Sequence, residues 1–206
     1  MDFTLWLIIG IFTICMVGVG SSFLALALTG VPVVRTPIKV IKKIKSHLGI
    51  KKDDVIVDAG CADARAIVEL CKGTGARGRG FELNGPMWLI GFFRVMLSGS
   101  VFSVRVYWKN FFRAELEDVD MVFCYLMPGS MVRVAKKCHE EMNEGTNLVS
   151  YLWSVPTWEP EEILWIGPMK DPVYIYKIGD NPAPTNLDQI IEEKDFSQKK
   201  NQQTKA

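Results

Sequence analysis

Residues 55–70, VIVDAGCADARAIVEL, limit the possible folds more than any other stretch of the chain. They open as an apolar strand, turn through small residues and close as a helix. A strand that is apolar at consecutive positions must be covered on both faces, which is the condition of a parallel sheet. A small-residue turn between such a strand and a helix is also where open α/β sheets bind ligands, beyond the carboxyl ends of the strands.

The chain downstream keeps this alternation. Residues 63–72 read as a helix, ARGRGFEL (76–83) as a second strand, and PMWLIGFFRVML (86–97) as an apolar helix opened by proline, a favoured first-turn residue. Trp88, Phe92, Phe93 and Met96 follow helical spacing there and are expected in the core. VRVYWKN (104–110) is a third strand, and FFRAELEDV after it is too short for a full helix. DMVFCYL (120–126) is nearly all apolar, hence a central strand. A helix over 130–142 leads to a fifth strand, TNLVSYLW (146–153). Beyond the proline-bearing loop SVPTWEPE, the segments EEILWIG and PVYIYKIG flank the turn-forming PMKD and read as an antiparallel hairpin. Strands alternating with helices imply an α/β, doubly wound, Rossmann-like sheet. The closing hairpin points to the methyltransferase version of that fold, which ends with an antiparallel strand at the sheet edge. Upstream, IKVIKKIKSHLGI places Ile38, Ile41, Ile44 and Leu48 on one helical stripe. This reads as a domain helix covering the sheet, its lysines solvated, with Gly49 as its end. The alternative is a basic helix lying on anionic lipid.

The two ends differ from this body. No charged residue occurs between Phe3 and Val34, and roughly thirty such residues exceed the ~20 that a helix needs to cross ~30 Å of hydrocarbon. Residues 1–34 are therefore read as a transmembrane anchor. A cleaved signal peptide would want a basic start and a shorter apolar core, whereas the start here carries only Asp2. Arg35, Lys39, Lys42, Lys43, Lys45, Lys51 and Lys52 follow, which expects a single-pass protein with its C-terminal domain in the cytoplasm, or the equivalent compartment of an organelle. Residues 35–180 make one domain, and residues 181–206 a polar, disordered tail. The formal net charge of +1 gives no global field for nucleic acid. Five cysteines without a C-x-x-C pair, and only two histidines, predict no metal site.

Three cofactors compete for the turn AGCADA. A nucleoside triphosphate loop needs Gly-Lys-Ser/Thr after the turn, which is absent. NAD wants G-x-G-x-x-G, and counting from Gly60 the third glycine position holds the bulky Arg65. S-adenosylmethionine carries no phosphate and needs less exposed backbone. It needs an acid near its amino group, close backbone approach, and an acid for its ribose. Asp58, Gly60 and Glu82 meet those needs. The expected cofactor-binding set is Asp58, Gly60, Cys61, Ala62 and Asp63 in the turn, Glu82, Leu83 and Asn84 after the second strand, Asn110 and Phe111 after the third, and Tyr125 after the fourth. Tyr125, Pro128 and Trp158 are pocket candidates near the transferred methyl, with no general base assigned. Cys61 and Cys124 near neighbouring strand ends read as small buried thiols rather than a reactive pair.

VDAGCADAR, GFELN, WKNFF, DMVFCYLMPGSM and VPTW, taken together, resemble the membrane-anchored, S-adenosylmethionine-dependent protein-lysine methyltransferases. Mitochondrial members of that group modify the adenine nucleotide carrier and the c subunit of ATP synthase. The resemblance spans residues 31–158. It implies methyl transfer by in-line displacement to lysine of a protein in or at a membrane. The family turn reads like D-L-G-S-G-D-G-R. Asp58, Gly60, Asp63 and Arg65 match it, while Ala62 and Ala64 stand where glycines are usual, and Gly85 is inserted before Pro86 in the family's E-L-N-P. Alanine adds a methyl where backbone needs positive φ or a ligand must come close. Two other readings stay beside the lysine enzyme. One is a fold-retaining scaffold without chemistry, and the other an enzyme acting on a small molecule or lipid.

Overall fold

The computed structural model describes residues 3–29 and 34–184. Its elements are α1 (Phe3–Thr29), α2 (Ile38–Leu48), β1 (Val55–Ala59), α3 (Arg65–Cys71), β2 (Arg77–Glu82), α4 (Gly85–Leu97), β3 (Val104–Trp108), β4 (Met121–Cys124), α5 (Pro128–Glu141), β5 (Asn147–Tyr151), β6 (Glu162–Ile166) and β7 (Asp171–Lys177). A single 3-10 turn, Phe111–Arg113, follows β3. The strands form one sheet in the order β3-β2-β1-β4-β5-β7-β6. The first five in that order are parallel, and β7 runs antiparallel to both β5 and β6. The expected closing hairpin is thus present, with its second strand inserted beside β5. The strand order reverses between β1 and β4, so the ligand crevice lies at their carboxyl ends.

Burial follows the sequence pattern in the middle of the sheet. Every residue of β1 and of β4 is buried. One side of the sheet packs against α5, with Met131, Val134, Ala135 and Cys138 meeting Val57, Val122 and Leu148. The other side packs against α2 and α3, with Val40, Ile41, Ile44, Ile67 and Leu70 meeting Ile56, Met121 and Phe123. Gly78 and Gly80 let α3 and its turn come close to β2. A Cβ on Gly78 would stand 2.7 Å from Ile67 Cγ1, and one on Gly80 would stand 2.7 Å from Cys61 Sγ.

Four expectations change. The buried stripe of α2 is Val40, Ile41 and Ile44, while Ile38 is exposed, because Pro37 sits at the N-cap and the first turn stands clear of the sheet. Gly49 does end α2, in the left-handed conformation. Asp63 precedes α3 rather than opening it, because the turn extends through Ala64. The fifth helix begins at Pro128, ahead of the expected 130. The largest change is in α4. Only Gly91 and Val95 are buried, and Phe92, Phe93 and Met96 are exposed rather than core. Helix α4 covers the edge pair β2 and β3 and is in contact with α1, and among the described residues Leu89, Phe93, Met96 and Leu97 stay exposed on it.

Helix α1 runs 27 residues without a charged side chain. Among the described residues no helix is long and apolar enough to cross a membrane. The anchor expected over 1–34 is thus not found as a spanning helix, and its residues 1–2 and 30–33 lie outside the described residues, as does the tail expected over 181–206 beyond Pro184. Residues 181–184 are held to the domain. The Asn181 side chain pairs with both the N–H and the carbonyl of Glu159, and Trp158 Nε1 donates to Pro182 O.

Candidate cofactor site

The turn after β1 is fixed by its neighbours on both sides. The N–H groups of Gly60 and Cys61 donate to Phe81 O at 3.0 and 2.9 Å, so the chain leaves β1 still attached to β2. Ala64 N closes the turn on Cys61 O at 2.8 Å. Gly60, Ala62 and Ala64 have φ of 83°, 47° and 59°. Both alanines therefore occupy the left-handed conformation that glycine adopts freely, which costs an L-residue ~1–2 kcal/mol. A Cβ on Gly60 would meet Leu126 Cδ2 at 3.0 Å. Ala64 is fully buried, and α4 makes room for it. A Cβ on Gly91 would stand 3.2 Å from the Ala64 methyl and 3.2 Å from Ala62 O.

Three acids meet around this turn, and two of them are satisfied. Glu82 accepts from Ala62 N at 2.8 Å and from Asn84 N at 2.7 Å, so it pins the turn to the end of β2. Asp63 is buried and receives Arg65 Nε and Nη2 at 3.0 and 2.8 Å, Arg94 Nη2 at 3.0 Å, and Arg35 Nε at 3.5 Å. Burial alone would raise its carboxyl. The Arg65 hydrogen bonds and the Arg94 and Arg65 charges outweigh that and hold it below the ordinary range. Arg94 Nε also donates to Asp63 O at 2.7 Å, tying α4 to the turn. Asp58 differs from both. It is 3% exposed, and its Oδ2 has no hydrogen-bond partner among the described residues. Burial, then the nearby Glu82 and Asp63 charges, push its carboxyl up to about 8, against a weaker pull from the Ile67 amide.

Asp58 lines a small cleft at the switch point. Arg35 and Thr36, Gly60 to Asp63, Phe123 and Tyr125 line it with Asp58. The cleft thus unites six of the expected residues: Asp58, Gly60, Cys61, Ala62, Asp63 and Tyr125. Glu82 and Asn84 join it through the Ala62 and Glu82 hydrogen bonds, and Asn84 also caps α4 by accepting from Met87 N at 3.1 Å. Leu83 is exposed beside them. Asn110 caps the 3-10 turn, accepting from Phe112 N at 3.0 Å, and Phe111 is buried edge-on to Phe81. Pro128 is exposed at the first turn of α5. Trp158 does not border the cleft. It is buried against Tyr176, because its indole N–H reaches Pro182 rather than the crevice. Cys61 and Cys124 are buried thiols, both pushed up by burial, Cys124 to about 12. Neither is a thiolate near neutral pH.

Arg35, Thr36, Arg94 and Phe123 are part of this site and were not among the expected residues. Phe123 follows from its place in β4. Arg35, Thr36 and Arg94 lie on segments distant in sequence, and nothing local in RTP or FFRVM announces a contact with Asp63.

A buried acid with one oxygen unpartnered among the described residues, lining a cleft, suits a small cationic ligand. The chain is similar to a protein-lysine N-methyltransferase of Saccharolobus islandicus, with 27% identity over 154 residues, covering 73% of this chain and 96% of that protein. It is similar to the mouse adenine nucleotide translocase lysine N-methyltransferase, with 28% identity over 131 residues. That match covers 62% of this chain and 56% of the mouse protein. Among solved structures, an RNA methyltransferase from Salinibacter ruber bound to S-adenosyl-L-homocysteine has the same fold, with a TM-score of 0.68, 24% identity, and coverage of 75% of this chain and 99% of that one. The ANTKMT methyltransferase domain matches residues 58–162, just over half of the chain, beginning at Asp58 itself. The chain belongs to this family and is an S-adenosylmethionine-dependent methyltransferase.

Proposed function

We propose that this enzyme methylates a lysine side chain of a protein held in or at a membrane, and that α1 anchors it there. The observation that carries the cofactor assignment is the free oxygen of buried Asp58. A lone carboxylate out of water is costly unless a cation meets it. The ammonium of the methionine moiety supplies that cation, with the adjacent sulfonium adding charge of the same sign. Gly60, Cys61, Ala62 and Asp63 bring the backbone close to that moiety. Glu82 keeps lone pairs beyond its two amide partners, enough to accept ribose hydroxyls, with Leu83 and Asn84 at its side. Asn110 and Phe111, just after β3, would bound the adenine end, and Tyr125, its ring 4.8 Å from that of Tyr151, would face the reacting end.

When bound, the cofactor supplies an electrophilic methyl group on sulfur. The chain's contribution is alignment and exclusion of water. Tyr125 and Phe123 line the cleft with rings, and Pro128 is exposed at the first turn of α5. The acceptor amine must arrive without its proton, and desolvation beside the Tyr125 and Phe123 rings would favour the neutral form of an amine.

The lysine assignment is supported by the names of the relatives. The membrane assignment is supported by a 27-residue helix without charge, followed in sequence by a run of basic residues. It expects the catalytic domain on the cytoplasmic side or its organellar equivalent.

The test is incubation of the full-length enzyme with detergent-solubilised membrane proteins and methyl-tritiated S-adenosylmethionine. Label is expected in methyl-lysine after acid hydrolysis, and is expected to vanish with Asp58→Asn. Label confined to a lipid extract or to small molecules would overturn the lysine reading.

A further inference from the structure

Among the described residues the exposed side chains of α4 are covered by no other element of the sheet domain, and their chemistry is that of a surface that enters lipid. From Gly85 through Ser103 the sole charged residue is Arg94, and it is turned inward to Asp63. What faces outward is Leu89, Phe93, Met96, Leu97, Phe102 and Trp108. Leu97 is 88% exposed, Phe102 99% and Trp108 65%. An apolar patch of this size on a soluble surface marks an interaction site.

We propose that this face, α4 with the loop carrying Phe102, inserts into the headgroup and upper acyl region of the bilayer, so that the domain lies against the membrane. Three observations choose lipid over a protein partner. Helix α4 is in contact with α1, whose described large apolar side chains, from Leu5 to Val17, are exposed. Helix α2 lies on the same side of the sheet as α3 and α4 and exposes Lys39, Lys42 and Lys43. Phenylalanine, leucine and tryptophan flanked by lysines are the composition of interfacial membrane elements. Trp108, with its N–H on Leu83 O at 2.9 Å and its ring stacked on Trp88, presents an amphipathic aromatic edge suited to the headgroup level. The proposal rests on the reading that α1 lies in the bilayer and adds a second contact with it. Because Leu83 and Trp108 stand at the carboxyl end of the sheet, this docking sets the cofactor cleft at a fixed height above the lipid.

The test uses the full-length chain, with exposed Cys15 replaced by serine, reconstituted into vesicles of phosphatidylcholine and phosphatidylserine. A polarity-sensitive fluorophore is placed in turn at Phe102→Cys, at Ile14→Cys in α1, and at Lys136→Cys on α5, on the opposite side of the sheet. Acyl-chain brominated lipids then quench whatever is immersed. Each labelled protein is first checked for S-adenosylmethionine binding, which retains only folded chains. The expected result is loss of emission at 102, blue-shifted before quenching, with no loss at 136. Quenching at 102 and not at 14 would leave this proposal standing and sink the α1 anchor. Quenching at 14 with none at 102 would overturn the proposal and leave the anchor. If residue 102 instead cross-links to residue 102 of another copy without quenching, the face is a dimer interface and the proposal also fails. Quenching at neither position would overturn both.

Discussion

Asp58 and Asp63 share one turn and have opposite electrostatics, which makes single substitutions informative. Asp63 is held charged by arginines, whereas Asp58 is buried with a free oxygen and pushed up to about 8. The ligand-free fold therefore favours protonated Asp58. That contribution to stability is full below the ordinary value of 3.8 and is lost as pH rises through about 8. Asp58→Asn should raise the melting temperature of the ligand-free enzyme by several degrees at pH 8 while weakening cofactor binding by about 100-fold or more. Paired thermal-shift curves with and without cofactor would check both halves. A cation on Asp58 must also displace its proton below about pH 8, so cofactor affinity should rise about tenfold per unit between about pH 6 and 8 and then level off. Calorimetry in buffers of different ionisation enthalpy would register the released proton. The two alanines should separate by burial. Ala62→Gly relieves a left-handed alanine and should stabilise by up to about 1 kcal/mol. Ala64→Gly also deletes a methyl packed against Gly91, worth about 0.8 kcal/mol, and should be neutral or destabilising. Denaturant midpoints would distinguish them.

At the level of elements, the turn is only as rigid as the helix behind it. Arg94 reaches from α4 to both the carbonyl and the carboxylate of Asp63. Arg94→Ala should cost about 1–2 kcal/mol of stability and raise the KM for cofactor more than it lowers kcat, because it loosens the cradle without touching the reacting atoms. Steady-state kinetics at saturating acceptor would show the split. This element also marks the boundary of what the sequence discloses. The strands and the closing hairpin are legible because apolar runs of four to seven residues between turn signals have few other uses. The outward face of α4 was not. Helical spacing of Trp88, Phe92, Phe93 and Met96 says that a face is apolar, but burial depends on whether anything lies beyond the edge strand. The cluster on Asp63 was half legible. Asp63 and Arg65 are adjacent in the motif, while Arg35 and Arg94 come from other segments and meet it only through tertiary packing. Trp158 was placed by its loop alone; in the fold it is buried, with its indole N–H on Pro182 O, a partner distant in sequence.

For the whole molecule, we propose a methyltransferase domain whose apolar α4 face and basic α2 both turn toward lipid. Each lysine near an anionic surface contributes about 1 kcal/mol. If α1 crosses the bilayer, full-length protein should stay with membranes through alkaline carbonate and high salt. Charge reversal of Lys39, Lys42 and Lys43 should leave that retention intact while weakening the docking of the domain. A fractionation assay and the vesicle quenching described above would report the two separately. The cofactor must seat on a turn with two left-handed alanines, Ala62 and Ala64. The most direct measurement is calorimetric titration of S-adenosylmethionine into the full-length protein in detergent micelles, beside Asp58→Asn. Saturable micromolar binding by the wild type, with release of a proton near neutral pH and loss of binding in the variant, is the predicted result. No heat of binding from a wild-type protein that still unfolds cooperatively would contradict it, because Asp58 would then be buried without the cation that its position requires.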